Sequence, residues 1–309
     1  MAQEMRRCDG IEVVAVASRS AERAAEIPGT RYFSRYEDLL TDPEIDAVYN
    51  ALSNHLHFPW TIAALAHGKP VLCEKPLGVN AEETALMHDA AVAAGVPLME
   101  GFWHLFHPKF ALMRSLCESG AIGEVRHINT GFTHEWDFAG NYRAHPDFGG
   151  GMILDLGCYP LSTVLWFWPE AHVTSAVSLA HEVNDLGTDI HTETSVTLSQ
   201  GVTATITASA QRPPRRWFEI LGSEGSLRCD EPAFSHFPEN AAGSKVWLES
   251  TDGQPEIQEW LIPASDPRVV MLEHWRDVVA GASSAAIDSR LSIRTAHGLD
   301  VIRESATRV

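Results

Sequence analysis

The chain has 309 residues, of which 45% are apolar, and a formal net charge of −18. This length suits two domains of about 150 residues each, and the composition is typical of a globular protein rather than a disordered one. The acidic balance argues against nucleic acids and anionic membranes as partners, because both bind basic protein surfaces.

The first hundred residues alternate between predicted strands and predicted helices. Short apolar runs rich in β-branched residues predict strands, and Ser20 is the expected N-cap of the first helix. The alternation predicts βαβ units, and therefore a parallel sheet with right-handed crossovers. The predicted strands span residues 11–17, 45–49, 70–73 and 97–100, and the predicted helices span residues 20–26, 36–40, 59–67 and 81–94.

The pattern changes after residue 101, where a series of strands is joined by tight turns. We expect a meander of antiparallel strands, open on one face. The fold class is thus an α/β, Rossmann-like parallel sheet in residues 1–101, followed by an α+β domain with a large open antiparallel sheet in residues 102–309. The predicted strands span residues 125–132, 172–183, 192–198, 202–210, 218–221, 226–229 and 246–249, and the predicted helices span residues 108–117, 267–279 and 291–307.

Lys75 follows the predicted strand 70–73 and lies in the segment Glu74-Lys75-Pro76. In open parallel sheets, ligands bind beyond the carboxyl ends of the strands, so this lysine can reach into a cleft. Partial burial there lowers the pKa of an ammonium group toward the working range of an acid–base catalyst. The alternative is an ordinary surface lysine at a strand end, because a single E-K-P sequence is common.

Asp155 and Tyr159 are the second pair of candidates. They are four residues apart, so a continuous helix would place both on one face. The three glycines at residues 149–151 allow a sharp turn and a close approach to a ligand. A tyrosine beside an aspartate or a lysine can exchange a proton with a substrate hydroxyl while a hydride leaves the carbon. The alternative is a capping aspartate and a core tyrosine.

The first predicted strand ends at Ser18, Arg19 and Ser20. In dinucleotide-binding folds an acidic residue here binds the ribose 2′-hydroxyl, whereas a serine and an arginine suit the 2′-phosphate of NADP. The alternative is a helix N-cap with a solvated arginine. The sequence contains no G-x-G-x-x-G turn, which normally precedes this position by about 20 residues. The glycines at 149–151 do not replace it, since the last glycine is absent and no parallel strand precedes them.

Other site classes are disfavoured. His55 and His57, like His104 and His107, have no carboxylate or cysteine at metal-ligand spacing, so we predict no metal site. The absence of a G-x-S-x-G elbow argues against an α/β-hydrolase. The five cysteines are odd in number, widely spaced and without a C-x-x-C pair, which argues against disulfides. With no apolar run of about 18 residues and no signal peptide, we expect a cytoplasmic protein.

In their order and spacing, these segments resemble the Gfo/Idh/MocA oxidoreductases, named for glucose–fructose oxidoreductase and inositol dehydrogenase. The chain is most similar to the branch of dimeric dihydrodiol dehydrogenases and NADP-dependent D-xylose 1-dehydrogenases, and the resemblance runs through nearly all of it. Four segments carry the resemblance: residues 12–19 (EVVAVASR), 64–77 (ALAHGKPVLCEKPL), 149–160 (GGGMILDLGCYP) and 222–226 (GSEGS).

The resemblance implies a Rossmann domain followed by an open sheet that forms a homodimer interface. It also implies that Tyr159 is the acid–base group, that Lys75 lies near the nicotinamide and the substrate, and that Asp155 supports them. The family's first strand and glycine turn should precede Met1, which makes the first domain incomplete. The implied cofactor-binding residues are Ser18, Arg19, Ser20, Asn54, His57, Glu74 and Lys75, and the implied substrate-binding residues are Trp103, Phe132 and Arg143.

We therefore expect an NADP(H)-dependent oxidoreductase that acts on the CH–OH group of a sugar, polyol or cyclic diol, with NAD as the alternative cofactor. The second hypothesis is a truncated, non-catalytic remnant or binding protein, because the absent turn would supply N–H groups to the pyrophosphate. A metal-dependent lyase is disfavoured by the lack of ligand spacing. Loops at residues 136–145 and 231–243 are expected to shape the substrate pocket.

Overall fold

The computed structural model describes residues 1–138, 140–231, 233–234, 243–251 and 256–306. Two small parallel sheets form its N-terminal part. One pairs β1 (Ala15–Ala17) with β2 (Arg31–Phe33), and the other has the order β3-β4-β5. The strands of the second sheet are β3 (Val48–Asn50), β4 (Val71–Cys73) and β5 (Leu98–Glu100). The predicted parallel strands are confirmed, although they are shorter than expected and form two sheets. β2 escaped prediction because it is polar and largely exposed.

Five helices accompany these strands. Ser20 accepts a hydrogen bond from the backbone N–H of Arg23, which confirms the predicted N-cap of the helix after the first predicted strand. The fourth helix begins five residues before its predicted start, so that Pro59 lies inside it. Proline removes one hydrogen bond there, whereas the sequence rule places proline at a helix start. The five are α1 (Ala2–Met5), α2 (Ala21–Ala25), α3 (Tyr36–Leu40), α4 (Asn54–Ala66) and α5 (Ala81–Ala94).

An eight-stranded sheet dominates the rest of the chain, with the order β13-β12-β11-β10-β6-β9-β8-β7. The expectation of a purely antiparallel meander is wrong at one place, because β6 and β9 pair in parallel. The chain returns beside β6 after completing β7 and β8, which puts β6 in the middle of the sheet. The strands are β6 (Val125–Glu135), β7 (Val173–Val183), β8 (Asp189–Leu198), β9 (Thr203–Ser209), β10 (Gln211–Gly222), β11 (Gly225–Cys229), β12 (Ser244–Ser250) and β13 (Glu256–Ile262).

β10 is much longer than the predicted strand 218–221. Two prolines, Pro213 and Pro214, argue against a strand there, since proline cannot donate to a ladder. The register shifts between Gln211 and Arg215, and such a bulge leaves the prolines outside the regular pairing.

Five further helices complete the fold: α6 (Pro108–Glu118), α7 (Met152–Asp155), α8 (Cys158–Phe167), α9 (Pro267–Val279) and α10 (Ser289–Ala306). α8 is almost entirely buried, and it contacts both β6 and α10. The other side of β7 exposes the apolar residues Val177, Leu179 and Val183, so the sheet is open on one face, as predicted. Within the described ranges, no single helix is long and apolar enough to cross a membrane. Two helical segments joined by a bend, residues 146–155 and 158–167, together have the length and apolar composition of a membrane span, and only these two properties match.

Candidate active site

Lys75 lies directly beyond β4, in a turn whose Lys75–Pro76 peptide bond is cis. Its side chain is only 9% exposed and points toward α7. The Nζ atom lies 3.0 Å from Oδ1 of Asp155 and donates a second hydrogen bond of 2.6 Å to the backbone oxygen of the same residue. The position at the carboxyl end of a buried strand agrees with the sequence expectation, and the side chain is held by two acceptors.

The Asp155 carboxylate decides the charge state of Lys75. Burial alone would lower the pKa of the ammonium, but the neighbouring carboxylate outweighs burial and holds the pKa of Lys75 well above its usual value. The sequence expectation of a lowered pKa is therefore wrong, because it considered burial without the counter-charge. Lys75 is a fixed cation at neutral pH and does not exchange protons there.

Asp155 joins two cations. Its Oδ1 faces Lys75, and its Oδ2 accepts a hydrogen bond of 2.8 Å from Nε of Arg143. Burial alone would raise the pKa of this carboxyl, but the ammonium of Lys75 and the guanidinium of Arg143 hold the pKa of Asp155 below its usual value. The side chain of Asp155 is 3% exposed and that of Arg143 is 28% exposed. The carboxylate thus lies between an inner and an outer cation.

Tyr159 lies beside Lys75 but not on the helix that carries Asp155. α7 ends at Asp155 and α8 begins at Cys158, so the continuous helix considered from the sequence is interrupted. A side chain at Gly157 would lie 2.5 Å from the backbone oxygen of Ile153, so the break has the close approach that only glycine allows. After the break, the Tyr159 ring has its centroid 4.7 Å from Nζ of Lys75. The ammonium therefore contacts both Asp155 and Tyr159.

The hydroxyl of Tyr159 is available to a ligand. It forms no hydrogen bond with any residue that the structure describes, and it does not belong to the fully buried, unpartnered polar atoms of that part of the chain. Burial raises the pKa of Tyr159 to about 12, while the ammonium of Lys75 acts in the opposite direction. At neutral pH the hydroxyl is protonated and can donate a hydrogen bond.

Aromatic side chains surround the Tyr159 ring. The ring centroids of Trp103 and Phe132 lie 5.6 and 5.4 Å from that of Tyr159, and their contact with a substrate stays a prediction. Sequence reasoning missed two further neighbours, His104 at 5.0 Å and Phe234 at 6.2 Å. Neither gives a spacing signal, because they come from segments far from Tyr159 in the chain.

Glu74 and Asn54 hold neighbouring segments together. The carboxylate of Glu74 accepts a hydrogen bond from the hydroxyl of Tyr49. Asn54 is buried; it donates to the backbone oxygen of Gly149 at 2.8 Å and accepts from the hydroxyl of Tyr142 at 3.2 Å. These contacts connect the start of α4 with the glycine-rich segment before α7.

His57 is buried, and both of its ring nitrogens face backbone oxygens. Nδ1 lies 2.8 Å from the oxygen of Pro76, and Nε2 lies 2.9 Å from that of Leu52. His57 thus braces the turn that carries Lys75. The resemblance implied that His57 binds the cofactor; this stays a prediction, and the contacts of His57 in the structure are with the protein backbone.

Ser18, Arg19 and Ser20 follow β1 and are separate from the cluster around Lys75. Ser18 accepts a hydrogen bond from the backbone N–H of Ser20 at 3.1 Å. Arg19 is exposed, and among the described residues its guanidinium has no ion-pair partner. Both interpretations of this segment are compatible with the structure: Ser20 caps α2, and Arg19 is free to bind an anion.

Glu100 was missed in the sequence analysis. It ends β5, is 2% exposed, and its Oε1 accepts a hydrogen bond of 2.8 Å from the backbone N–H of Leu77. Burial raises the pKa of Glu100 to about 8. A related signal could have located Glu100, because it is a polar residue at the carboxyl end of a buried strand. The hydrogen bond between Glu100 and Leu77 supports the turn that carries Lys75.

Most of the loop 231–243, expected to shape the pocket, lies outside the described residues, as does Ala139 in the loop 136–145. In the described part of the chain, no group of three or more histidine, cysteine, aspartate or glutamate side chains is arranged to hold a metal ion. The charged and titratable side chains of the cluster are those of Lys75, Asp155, Tyr159 and Arg143.

Two family models match the chain. The model described as "Oxidoreductase family, NAD-binding Rossmann fold" matches residues 1–102, and the model described as "GFO/IDH/MocA C-terminal domain" matches residues 110–228. Together they extend over more than half of the 309 residues.

Individual relatives cover nearly the whole chain. D-xylose 1-dehydrogenase (NADP(+)) 2 of Haloferax volcanii is 33% identical, over 96% of this chain and 90% of its own. dTDP-3,4-didehydro-2,6-dideoxy-alpha-D-glucose 3-reductase of Streptomyces violaceoruber is 34% identical, over 96% and 88%. A 3-ketoreductase from Actinomadura kijaniata, solved with NADP and TDP-benzene, is 29% identical with a TM-score of 0.88, over 98% and 92%. The chain belongs to the Gfo/Idh/MocA family of oxidoreductases.

Proposed function

We propose that this protein is an NADP(H)-dependent oxidoreductase that acts on the CH–OH group of a sugar, polyol or cyclic diol. The observation that carries the proposal is the group formed by Lys75, Asp155 and Tyr159 beyond the end of β4, with a tyrosine hydroxyl that no described residue binds. Relatives named as a sugar dehydrogenase, a sugar-nucleotide ketoreductase and a dihydrodiol dehydrogenase support the substrate class.

In this proposal Tyr159 moves the proton. NADP, when bound, supplies the hydride acceptor for oxidation, and NADPH supplies the donor for reduction. During oxidation the deprotonated oxygen of Tyr159 takes the proton of the substrate hydroxyl; during reduction its hydroxyl returns a proton to the forming alcohol. The Lys75 cation stabilises negative charge on Tyr159, and Asp155 holds that cation in place. Trp103 and Phe132 supply an apolar wall that excludes water.

The residues after β1 fit one part of the cofactor. The exposed guanidinium of Arg19 and the hydroxyls of Ser18 and Ser20 are suitable donors for a ribose 2′-phosphate, and this donor set favours NADP over NAD. The sequence contains no G-x-G-x-x-G turn, the element that supplies backbone N–H groups to the pyrophosphate in dinucleotide-binding folds. Asn54, His57 and Glu74 hold the turns on the cofactor side of Lys75.

Replacing Arg19 by alanine is expected to weaken NADPH binding by about 10- to 100-fold, because a hydrogen bond to a charged group contributes about 1.5–3 kcal/mol. Binding of NADH should stay within about twofold. Fluorescence titration of both cofactors measures the two dissociation constants. Arg23→Ala removes an exposed arginine of α2 and is the matched control. An equal loss for NADPH and NADH would contradict the assignment of Arg19 to the 2′-phosphate.

Alcohol oxidation is expected to accelerate with pH, by about tenfold per unit between pH 7 and 10, because the pKa of Tyr159 is raised to about 12 and only its deprotonated form accepts a proton. Carbonyl reduction should be nearly independent of pH over the same range, since the neutral hydroxyl is the donor. Initial rates in both directions at saturating cofactor test this. A flat oxidation profile would exclude Tyr159 as the base.

The first test of the function is a titration of this chain with NADPH and NADH, followed by fluorescence, and then a screen of aldoses and diols for turnover. Tight NADPH binding with turnover of one substrate class supports the proposal. A folded chain that binds neither cofactor favours the second candidate, a non-catalytic binding protein of the same fold, for which the absent glycine turn is the specific observation.

We propose different functions for the two regions of the chain. Residues 1–101 act as the dinucleotide-binding domain, and residues 102–309 act as a domain for substrate binding and dimerisation. The exposed apolar residues Val177, Leu179 and Val183 on β7 support a homodimer that forms through the open sheet. Sedimentation equilibrium of the chain, with Leu179→Glu as the variant that dissociates a dimer, tests this part.

A further inference from the structure

The hairpin between β7 and β8 ends in a tightly bonded turn. Oδ1 of Asn184 accepts hydrogen bonds from the backbone N–H groups of Leu186 at 3.0 Å and Thr188 at 2.9 Å. The backbone oxygen of Asn184 accepts from Gly187 at 2.9 Å. An asparagine that bonds its own turn in this way restricts the backbone. The turn therefore fixes the direction of Thr188 and of Asp189, the first residue of β8.

Three polar side chains of this hairpin reach the segment that precedes and begins α7. Nδ2 of Asn184 donates to the backbone oxygen of Ala144 at 3.1 Å, and the hydroxyl of Thr188 donates to the same oxygen at 2.9 Å. Oδ2 of Asp189 accepts from the backbone N–H of Ile153 at 2.7 Å. We call Asn184, Thr188 and Asp189 the hairpin clamp.

Asp189 replaces a capping side chain that α7 lacks. Gly151 occupies the N-cap position with a φ of +103° and has no side chain to offer. A Cβ on Gly151 would overlap Oδ1 of Asp189, so the carboxylate fills the space beside the glycine. A carboxylate at a helix start satisfies N–H groups that have no partner within the helix. Here the capping side chain comes from β8, 38 positions along the chain from Gly151.

The clamped segment connects directly with the candidate active site. The N–H of Gly151 donates to the backbone oxygen of Arg143 at 3.0 Å, and the N–H of Asp155 donates to that of Gly151 at 3.0 Å. Asp155 in turn binds Arg143 through its side chain and Lys75 through both its side chain and its backbone oxygen. A shift at the start of α7 therefore moves both of the described acceptors that hold the Lys75 ammonium, Oδ1 and the backbone oxygen of Asp155.

We propose that the hairpin clamp consists of positioning residues for the reaction: it fixes the start of α7 and thereby holds Asp155 and Lys75 in place beside Tyr159. This inference rests on the proposed function. In the described structure the three side chains bond Ala144, Ile153 and their own turn, so they act through Asp155 and not on the reacting atoms.

Asp189→Asn tests the clamp in the full chain, because it keeps the shape of the side chain, removes the charge, and replaces one of the two acceptor oxygens beside the N–H groups of α7 by an NH2 donor. Asp185→Asn is the matched control, since Asp185 is an exposed carboxylate in the same turn. The first readout is hydrogen–deuterium exchange of a peptide covering residues 149–157 without ligand. Exchange should accelerate about tenfold in Asp189→Asn and should stay at the parent rate in Asp185→Asn.

The second readout is kinetic and separates positioning from a purely structural role. We expect Asp189→Asn to lower kcat about tenfold and to change the KM for NADP much less, because Ser18, Arg19 and Ser20 are separate from the displaced segment. Its oxidation rate should also need a higher pH, because a displaced Lys75 no longer lowers the pKa of Tyr159. Thr188→Val removes one hydrogen bond to Ala144 and should lower kcat about threefold, with a shift of the pH dependence in the same direction. It is the replacement test if Asp189→Asn does not fold.

Two results overturn the inference. Exchange of residues 149–157 equal to that of Asp185→Asn would show that no clamp exists, and faster exchange with unchanged kcat and pH profile would show that the clamp is structural only. A parent chain without turnover on any substrate would defeat the proposed function and with it the positioning role. The exchange measurement needs no turnover, so the two failures are distinguishable.

Discussion

Replacing Tyr159 by phenylalanine is expected to lower kcat by about 100- to 10,000-fold, the factor that a positioned proton-transfer group contributes. The change removes one oxygen and keeps the ring that packs against Trp103 and Phe132, so the wall of the site should stay intact. Steady-state turnover at saturating cofactor, with the best substrate from the screen, measures the loss.

The same variant should bind NADPH within about twofold of the parent, because the Tyr159 hydroxyl holds no other described residue in place. Tyr36→Phe is the matched control: Tyr36 lies on α3, where its ring packs on Trp60 with centroids 4.6 Å apart, and it should keep the parent kcat. Unchanged turnover in Tyr159→Phe would exclude Tyr159 as the acid–base group. A large loss of NADPH affinity would instead show that the hydroxyl shapes the cofactor site.

The sequence was sufficient to locate Lys75, because one local rule applies to it. A polar residue in the turn after a buried parallel strand lies at the carboxyl edge of the sheet, and Lys75 is the second residue after the end of β4. The rule says nothing about charge partners 80 residues away. The predicted lowering of the Lys75 pKa is therefore wrong, because the carboxylate of Asp155 beside the ammonium raises that pKa.

The spacing of Asp155 and Tyr159 predicted one continuous helix, and the structure differs from that prediction. A separation of four residues fits one helical face, but the helix breaks at Gly157, where the backbone of Ile153 leaves no room for a side chain. Asp189 caps α7 from β8, and no local sequence pattern predicts this contact. Contacts of this kind depend on how β8 lies beside α7, and no periodicity in one sequence records that.

Replacing Asp155 by asparagine is expected to lower the free energy of unfolding by about 3–5 kcal/mol, because removing one partner of a buried pair leaves an uncompensated charge. The charge left behind is the ammonium of Lys75, whose side chain is 9% exposed. Urea denaturation at pH 7 measures the loss. Glu182→Gln is the matched control: it breaks the exposed pair with Arg212, with both side chains nearly half exposed, and it should cost less than about 1 kcal/mol.

The destabilisation should shrink as the pH rises from 7 to 9.5. In the parent, Asp155 holds the folded-state pKa of Lys75 above its usual value near 10.5, so this stabilisation is complete below that value and is lost only at higher pH. In Asp155→Asn, burial acts without a counter-charge and moves the folded-state pKa of Lys75 below the unfolded value. The folded variant then sheds its proton as the pH rises and loses the cost of a buried cation. A constant gap between parent and variant would contradict this account.

The double variant Lys75→Met with Asp155→Leu separates stability from catalysis. Both buried charges are replaced by apolar side chains, and such replacements of a buried pair are often neutral or stabilising. Arg143 loses its partner, but its side chain is 28% exposed, so solvent screens that charge. We expect the free energy of unfolding to return to within about 1 kcal/mol of the parent, while turnover stays far below that of the parent. Recovered stability with recovered turnover would show that neither charge is needed beside Tyr159.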